Sequence, residues 1–250
     1  EPYRRQRQMC IRDRYMDRLE INKSAILSKI VNHLVLVSNS VHDIGLYYGK
    51  MGIVLFLYNY SRYVHNDLYE KIAGELLDNV LEEVHNYLPY DLANGYCGIG
   101  WAIEYLSEQK FIEGNINEIL RNLDEKIMER DVRRISDETL SSGLEGVFLY
   151  VLTRSMGNLL GTPFDKIYLE DLYEAAKKQK IEKGDSHISI FRCKYMDWFE
   201  GKVVYRAPLL LSDVIDFPNI PQDEDLWKWG IGISNGCAGV GLRMMVELVN

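Results

Sequence analysis

The sequence contains no run of 18 consecutive apolar residues, so we expect no membrane-spanning helix. Cysteine is scarce, with four in 250 residues, and the scattered positions give no disulfide framework and favour a reducing, cytoplasmic compartment. Basic residues are outnumbered and the formal net charge is −8, which argues against nonspecific binding of nucleic-acid phosphates. Apolar and aromatic residues are abundant: 47% of the chain is hydrophobic and 17 residues are tyrosine, enough for one large core.

The N-terminal residues stand apart from the rest of the chain. The stretch QMCIRDR (8–14) resembles the translation of a common sequencing-library adapter. We therefore expect residues 1–14 to be an assembly artefact, with Met16 as the native start. The alternative is a genuine basic, disordered arm. In either case residues 1–15 are an artefactual or disordered head, and residues 16–250 are predicted to form a single domain.

Glycine occurs in a repeating pattern. Four stretches contain Gly-x-x-Gly followed by an apolar run, and their first glycines are 46, 48 and 93 residues apart. The last interval is close to twice the others. The pairs are Gly49/Gly52, Gly95/Gly98, Gly143/Gly146 and Gly236/Gly239. Self-similarity at such a period indicates stacked structural repeats.

Each repeat is predicted to be a pair of helices. The apolar runs after the glycines are typical of buried helices, and the stretches between them have one apolar face, typical of outer helices. The predicted buried helices are 53–63, 99–106 and 147–152, and the predicted outer helices are 21–38, 68–88, 116–128 and 169–180. Asn66 or Asp67 is expected to cap helix 68–88. We therefore predict an all-α fold: an α/α toroid, closed as a barrel or open as an arc, of four to five helical hairpins.

The glycines are expected to let the buried helices converge at one end of the toroid and to allow a positive φ in the preceding loop. First-turn N–H groups at these helix starts would then be free and would form a weakly positive basin. The region 185–225 has no glycine motif and contains the β-like stretch 203–205 and three prolines, Pro208, Pro218 and Pro221. There we predict a degenerate repeat with a small β or loop insertion.

Two stretches, LANGYCGIGWAIEYL (92–106) and GISNGCAGVGL (232–242), connect the glycine pattern to a known family. With four motifs in register, the chain resembles the lanthionine synthetase C-like family over about residues 40–250, with a weak patch at 160–228. The resemblance implies an α/α toroid and a role in peptide modification. Cyclases of this family bind one zinc ion, which holds a peptide cysteine as a thiolate that adds to a dehydroamino acid.

The sequence departs from these cyclases where their zinc ligands lie. The resemblance implies ligands from Trp-Cys-x-Gly and Cys-His-Gly motifs and from a histidine before another repeat glycine. The two positions before each first glycine here contain neither Cys nor His: they are Tyr47-Tyr48, Ala93-Asn94, Ser141-Ser142 and Ser234-Asn235. We therefore expect no cofactor, and whether the chain is an enzyme stays open. The weaker alternative is zinc held by Cys97, Cys237 and His187.

Three functions remain open from the sequence. The first is a zinc-less pseudoenzyme that binds peptides or acts as a scaffold, with a precursor peptide or a peptide-modifying enzyme as its partner, and that could form a homodimer. The second is a cyclase-like enzyme with atypical zinc ligands. The third is a carbohydrate-active toroid with Glu145 as a catalytic carboxylate, although an acid there could simply stabilise its helix. The predicted peptide-binding mouth is formed by Tyr47, Tyr48, Gly49, Asn94, Gly95, Tyr96, Ser142, Gly143, Asn235 and Gly236.

Overall fold

The computed structural model describes residues 23–157, 161–178, 190–202, 204, 206, 209–221 and 225–249. These residues contain nine α-helices and no β-strand, apart from one isolated bridge between Gly230 and Gly236. The all-α prediction is therefore confirmed for them. The helices are α1 (23–37), α2 (Lys50–Val64), α3 (Asp67–Glu83), α4 (Tyr96–Glu108), α5 (Ile116–Met128), α6 (Leu144–Gly157), α7 (Lys166–Lys178), α8 (Ile190–Phe199) and α9 (Cys237–Val249). The predicted head 1–15 and His187 lie outside the described residues.

The helices that follow the first three glycine motifs are buried on nearly all sides. In α2, α4 and α6 almost every residue of the first two to three turns is buried, as uniformly apolar runs predict. In α3, α5 and α7 a single face is buried. Asn66 caps α3, and its side-chain oxygen accepts the Leu68 N–H at 3.0 Å. α3 ends at Glu83, before the predicted end at residue 88.

The buried helices pack in a continuous series. α2 lies between α9 and α4, α4 contacts α6, and α6 contacts α8. The amphipathic helices pair with members of this series, since α3 packs on α2, α5 on α4 and α7 on α8. The last helix, α9, therefore packs directly against α2, the first buried helix.

Helix α8 lies in the region where we predict a β or loop insertion. Tyr195 anchors it: the ring contacts Phe148 of α6, and the hydroxyl donates to the Leu169 carbonyl of α7 at 2.7 Å. Residues 209–221 then form a loop with one short 3₁₀ turn. The described part of 185–225 is thus helix and loop without a strand, and Val203 and Tyr205, which suggested one, lie outside it.

Candidate functional site

Each helix that carries a glycine motif begins from a loop of the same backbone geometry. The residue after the first glycine donates its N–H to the carbonyl seven residues earlier, at 2.7–3.0 Å. The four pairs are Lys50 to Asp43, Tyr96 to Pro89, Leu144 to Asp137 and Cys237 to Gly230. Each loop therefore folds back onto the first turn of its own helix.

This closure explains the first glycine of each motif. A Cβ at that position would overlap the backbone of the residue six positions earlier; the pairs are Gly49 and Asp43, Gly95 and Pro89, Gly143 and Asp137, and Gly236 and Gly230. The φ angles of Gly49 and Gly95 are −109° and −120°, which any residue can adopt. The expected positive φ is therefore wrong, because the constraint is the close approach of the loop to the glycine.

The same loops occupy the first-turn N–H groups that we expected to be free. In α4, Cys97 donates to the Tyr90 carbonyl at 3.3 Å and Gly98 donates to the Asp91 carbonyl at 3.4 Å. Helix α9 repeats this pattern. A helix start attracts anions only while its N–H groups lack partners, so the predicted positive basin is wrong at these helices.

Backbone hydrogen bonds also join each loop to its neighbour. They connect the residues two positions before the first glycines: Ser234 donates to the Tyr47 carbonyl at 3.2 Å, and Tyr47 donates to the Ala93 carbonyl at 2.8 Å. Ala93 in turn donates to the Ser141 carbonyl at 2.8 Å. The four loops therefore lie side by side. We call the surface formed by residues 47–49, 93–95, 141–143 and 234–236 the loop surface.

The predicted mouth residues all belong to or border the loop surface, but they differ in exposure. The residue directly before each first glycine reaches solvent: Tyr48, Ser142 and Asn235 are exposed and Asn94 is half-buried. The other predicted mouth residues, which are Tyr47, Gly49, Gly95, Tyr96, Gly143 and Gly236, are buried. A ligand at this surface would therefore meet one polar or aromatic side chain from each loop.

Tyr47 is covered by the segment 209–221. Its hydroxyl donates to the carbonyl of Val214, which is itself buried. Burial, together with the neighbouring Tyr48 and Asp216, raises the pKa of Tyr47 to about 12, so the hydroxyl remains a donor at neutral pH.

The same segment also contacts the second glycine of the last motif, since Pro218 packs against Gly239. The second glycines of the other three motifs instead contact a side chain of the adjacent loop: Ile233 at Gly52, Leu46 at Gly98 and Leu92 at Gly146.

A groove of about 360 Å³ lies beside the loop surface. Its walls come from the loops before α2 and α4 and from the end of α3: His42, Asp43, Ile44, Glu83, His85, Leu88, Pro89 and Asn94. The Glu83 carboxylate pairs with the buried Lys50 ammonium at 2.5 Å. Of this set, the predicted peptide-binding mouth includes only Asn94, because most of the other residues come from segments outside the glycine motifs.

The described cysteines and histidines do not assemble a zinc site. Burial, with a smaller contribution from Asp91 and Asp124, raises the pKa of the Cys97 thiol well above its usual value, and burial raises the pKa of Cys237 to about 11. Among the described residues, no three His, Cys, Asp or Glu side chains lie close enough together to hold a metal ion. Zinc needs three or four such ligands, and the described residues bring no such set together. His187 is not among them, so zinc held by Cys97, Cys237 and His187 stays a prediction.

Glu145, the predicted catalytic carboxylate, lies in the first turn of α6 and is buried. Its two carboxylate oxygens accept the N–H groups of Phe191 at 2.6 Å and Arg192 at 3.3 Å. These amides belong to the first turn of α8, which has no intrahelical acceptors for them. Glu145 therefore caps α8 from the neighbouring helix, and its negative charge complements the helix dipole.

Replacing Glu145 with alanine is expected to lower the free energy of unfolding by about 1.5–3 kcal/mol, because two buried amides lose a charged acceptor. Glu145→Gln should cost less, since it keeps one acceptor oxygen. Urea denaturation measures both. The matched control is Glu118→Ala, which removes an exposed first-turn acid of α5 and should change stability by less than about 1 kcal/mol. A purely capping role would be contradicted if the native chain hydrolyses glycosides and Glu145→Gln abolishes this activity without lowering stability.

The fold and the loop surface define a helical protein whose buried helices start from a row of hydrogen-bonded glycine loops. The family model described as lanthionine synthetase C-like protein matches residues 40–203, about two thirds of the chain. The chain therefore belongs to the lanthionine synthetase C-like family, as its glycine motifs indicated. A search of curated proteins found no match. In the described residues, no helix combines the length and the apolar character needed to cross a bilayer.

Proposed function

We propose that this chain is a zinc-less member of the lanthionine synthetase C-like family that binds a peptide, or acts as a scaffold, in a lanthipeptide-type modification pathway. The observation that carries the proposal is at the loop surface. The four glycine loops keep one common geometry, whereas the two residues before each first glycine include none of the Cys or His ligands that the resemblance implies. These residues are Tyr47-Tyr48, Ala93-Asn94, Ser141-Ser142 and Ser234-Asn235. We assign no catalytic step to the chain, and its partner would be a precursor peptide or a peptide-modifying enzyme.

The proposed architecture is an α/α toroid of four to five hairpins within one domain that begins near residue 16. The order of packing supports it, because α9, α2, α4, α6 and α8 follow one another as inner helices while α3, α5 and α7 lie against them. Segment 209–221 packs beside the start of α9 through Pro218. A toroid that remains open as an arc could close by forming a homodimer.

The side chains around the loop surface suit an extended peptide. Tyr48 offers an exposed aromatic ring, and Asn94, Ser142 and Asn235 offer hydrogen-bond donors and acceptors. Such a mixture of a rigid aromatic anchor and short polar side chains is typical of surfaces that recognise peptides and proteins. The adjacent groove contains the carboxylate of Asp43, whereas the carboxylate of Glu83 is already paired with Lys50. The Asp43 charge favours a peptide with a basic side chain there.

The proposal is tested with peptides selected from a displayed random library on the purified chain. Tyr48→Ala and Asn94→Arg are expected to weaken the binding of a selected peptide about tenfold or more, since aromatic anchors and groove-lining residues contribute most to binding. Fluorescence anisotropy measures the affinity. The control Ile167→Arg lies on the exposed face of α7, where Ile167 is 73% exposed, and should leave the affinity unchanged.

Two results would contradict the proposal. Stoichiometric zinc in the purified protein that is lost in Cys97→Ala would show a metal-dependent member of the family instead. If a selected peptide binds the native chain, Tyr48→Ala and Asn94→Arg with the same affinity, its binding site lies away from the loop surface. Under the proposal, Cys97→Ala binds the selected peptides as tightly as the native chain.

A further inference from the structure

A polar groove lies at the C-terminal ends of the inner helices α4 and α6, away from the loop surface. Its volume is about 480 Å³, which is within the range of small-molecule sites. Glu104, on its wall, lies about 12 Å along α4 from the helix start, so the groove is separate from the loop surface. The polar groups on its walls belong to Glu104, Glu108, Asn115, Asn117, Arg154 and Arg206.

The outer ion pair of the groove is balanced. Oε2 of Glu108 accepts a hydrogen bond from Arg206 at 2.7 Å, and Oε1 accepts the Leu209 N–H at 2.8 Å. Both oxygens of Glu108 therefore have a donor, and its pair with Arg206 has no net charge.

The inner group of charges is not balanced. The single guanidinium of Arg154 serves two carboxylates, Asp124 and Glu104, each at 2.7 Å. Asp124 also accepts the Tyr150 hydroxyl at 2.7 Å. Glu104 accepts one Arg154 N–H through Oε1, and its Oε2 has no hydrogen-bond donor among the described residues. One negative charge is therefore left over, and it is served least at Glu104.

The free oxygen of Glu104 can be reached from the groove. The side chain is 10% exposed and borders the groove. Within the described part of the chain, the enclosed side-chain atoms that lack a partner do not include Oε2 of Glu104, so this atom retains accessible surface. Burial raises the pKa of Glu104 although Arg154 and Arg206 oppose the rise. The two guanidinium groups therefore stabilise this charge incompletely, and a further cation would stabilise it.

We propose that the groove binds a small organic cation whose ammonium group donates to Oε2 of Glu104. The ends of α4 and α6 favour a positive charge there, because the last carbonyls of a helix are partially negative. Asn115 offers a second polar contact, since its exposed side chain does not cap α5. A metal ion fits less well, because no three ligating side chains come together among the described residues. The site goes beyond the proposed peptide-binding role and does not depend on it.

The test uses two ligands of nearly equal shape, 4-amino-1-butanol and 1,4-butanediol, which differ by an ammonium group in place of a hydroxyl. Saturation-transfer NMR on the full chain at pH 8, in a buffer without amines, measures both affinities. The amino alcohol is expected to bind about tenfold more tightly than the diol, the effect of one hydrogen bond to a charged group. It should also shift the carboxyl ¹³C signal of Glu104 in a saturable way, and this signal is assigned from its loss in Glu104→Gln.

Two variants separate the charge of the site from its space. Glu104→Gln keeps the shape and leaves Arg154 paired with Asp124, so the chain should fold and bind the two ligands equally. Asn115→Trp places an indole at the groove and should weaken the binding of the amino alcohol about tenfold or more. The control Glu75→Gln removes an exposed carboxylate of α3 and should leave both affinities unchanged.

The proposal is overturned if neither ligand saturates the native chain or if both bind it equally. It is also overturned if Glu104→Gln keeps the preference for the amino alcohol, which would indicate general attraction of cations to an acidic protein. Unchanged binding in Asn115→Trp would place the ligand elsewhere and overturn it as well. If Glu104→Gln does not fold, the affinity ratio in the native chain and Asn115→Trp decide.

Discussion

Replacing Arg154 with methionine is expected to lower the free energy of unfolding by about 3–5 kcal/mol, the cost of removing one partner from a buried ion pair. The Arg154 side chain on α6 is 1% exposed, and it pairs with Asp124 of α5 and Glu104 of α4, each at 2.7 Å. The methionine would leave two buried carboxylates close together without a cation. Urea denaturation at pH 8 measures the loss.

Further hydrogen bonds around Arg154 join α6 to α5. Its guanidinium also donates to the Asn117 side-chain oxygen at 3.1 Å, and Tyr150 donates to Asp124 at 2.7 Å. Arg154→Lys keeps the positive charge but loses the planar fork that serves both carboxylates, so it should cost less than methionine. The control Arg133→Met removes two solvent-exposed ion pairs, with Asp131 and with Asp171, and should cost far less than Arg154→Met.

The pH dependence distinguishes lost charge from lost packing. Burial raises the pKa of Glu104 above its usual 4.5, although Arg154 opposes the rise. A carboxyl whose pKa is higher in the folded state binds more protons there than in the unfolded state. The free energy of unfolding therefore falls as the pH rises through the range between the two pKa values. Without Arg154 the pKa of Glu104 should rise further, and the deficit of Arg154→Met should shrink from pH 8 to pH 5. Equal deficits at both pH values would indicate lost packing alone.

Replacing Gly98 with alanine should destabilise the chain by about 3 kcal/mol or more, beyond the usual cost of overpacking a core. Glycine inside a helix is normally worse than alanine by roughly 0.5–1 kcal/mol. At Gly98, however, a Cβ would overlap the carbonyl of Leu92 in its own loop and lie 3.0 Å from the Leu46 Cβ of the neighbouring loop. Neither neighbour can move without breaking the loop contacts, and thermal or urea unfolding measures the loss.

Gly74 provides a control with the opposite expected sign. It lies in α3, and within the part of the chain that the structure describes a Cβ there would meet only the Tyr58 hydroxyl, at 3.6 Å. Gly74→Ala should therefore stabilise the chain by about 0.5–1 kcal/mol, the ordinary helix preference for alanine. A Gly98→Ala chain that is as stable as Gly74→Ala would contradict the loop geometry on which the candidate site rests.

Much of the secondary structure could be predicted from local patterns. Apolar runs identified α2, α4 and α6 because burial on all sides leaves no polar face. The cap at Asn66 was predictable because its acceptor lies two residues away in the chain. Helix α8 was missed: it has no glycine motif, and the amides of its first turn are satisfied by Glu145, 46 residues earlier. The groove residues His42, Glu83 and His85 escaped detection for the same reason, since packing alone brings them together.

The sequence alone determined most of the helical stretches, where four equivalent loops lie and to which family the chain belongs, because periodicity and glycine spacing act over a few residues. Only the tertiary structure decided why the glycines are needed and what the buried charges do. The loop carbonyls close onto the first turns and accept their N–H groups, three of them in α4 and three in α9. Glu104 and Asp124 meet Arg154 across 50 and 30 residues of sequence. Such contacts depend on how the helices pack, which spacing along the chain does not specify.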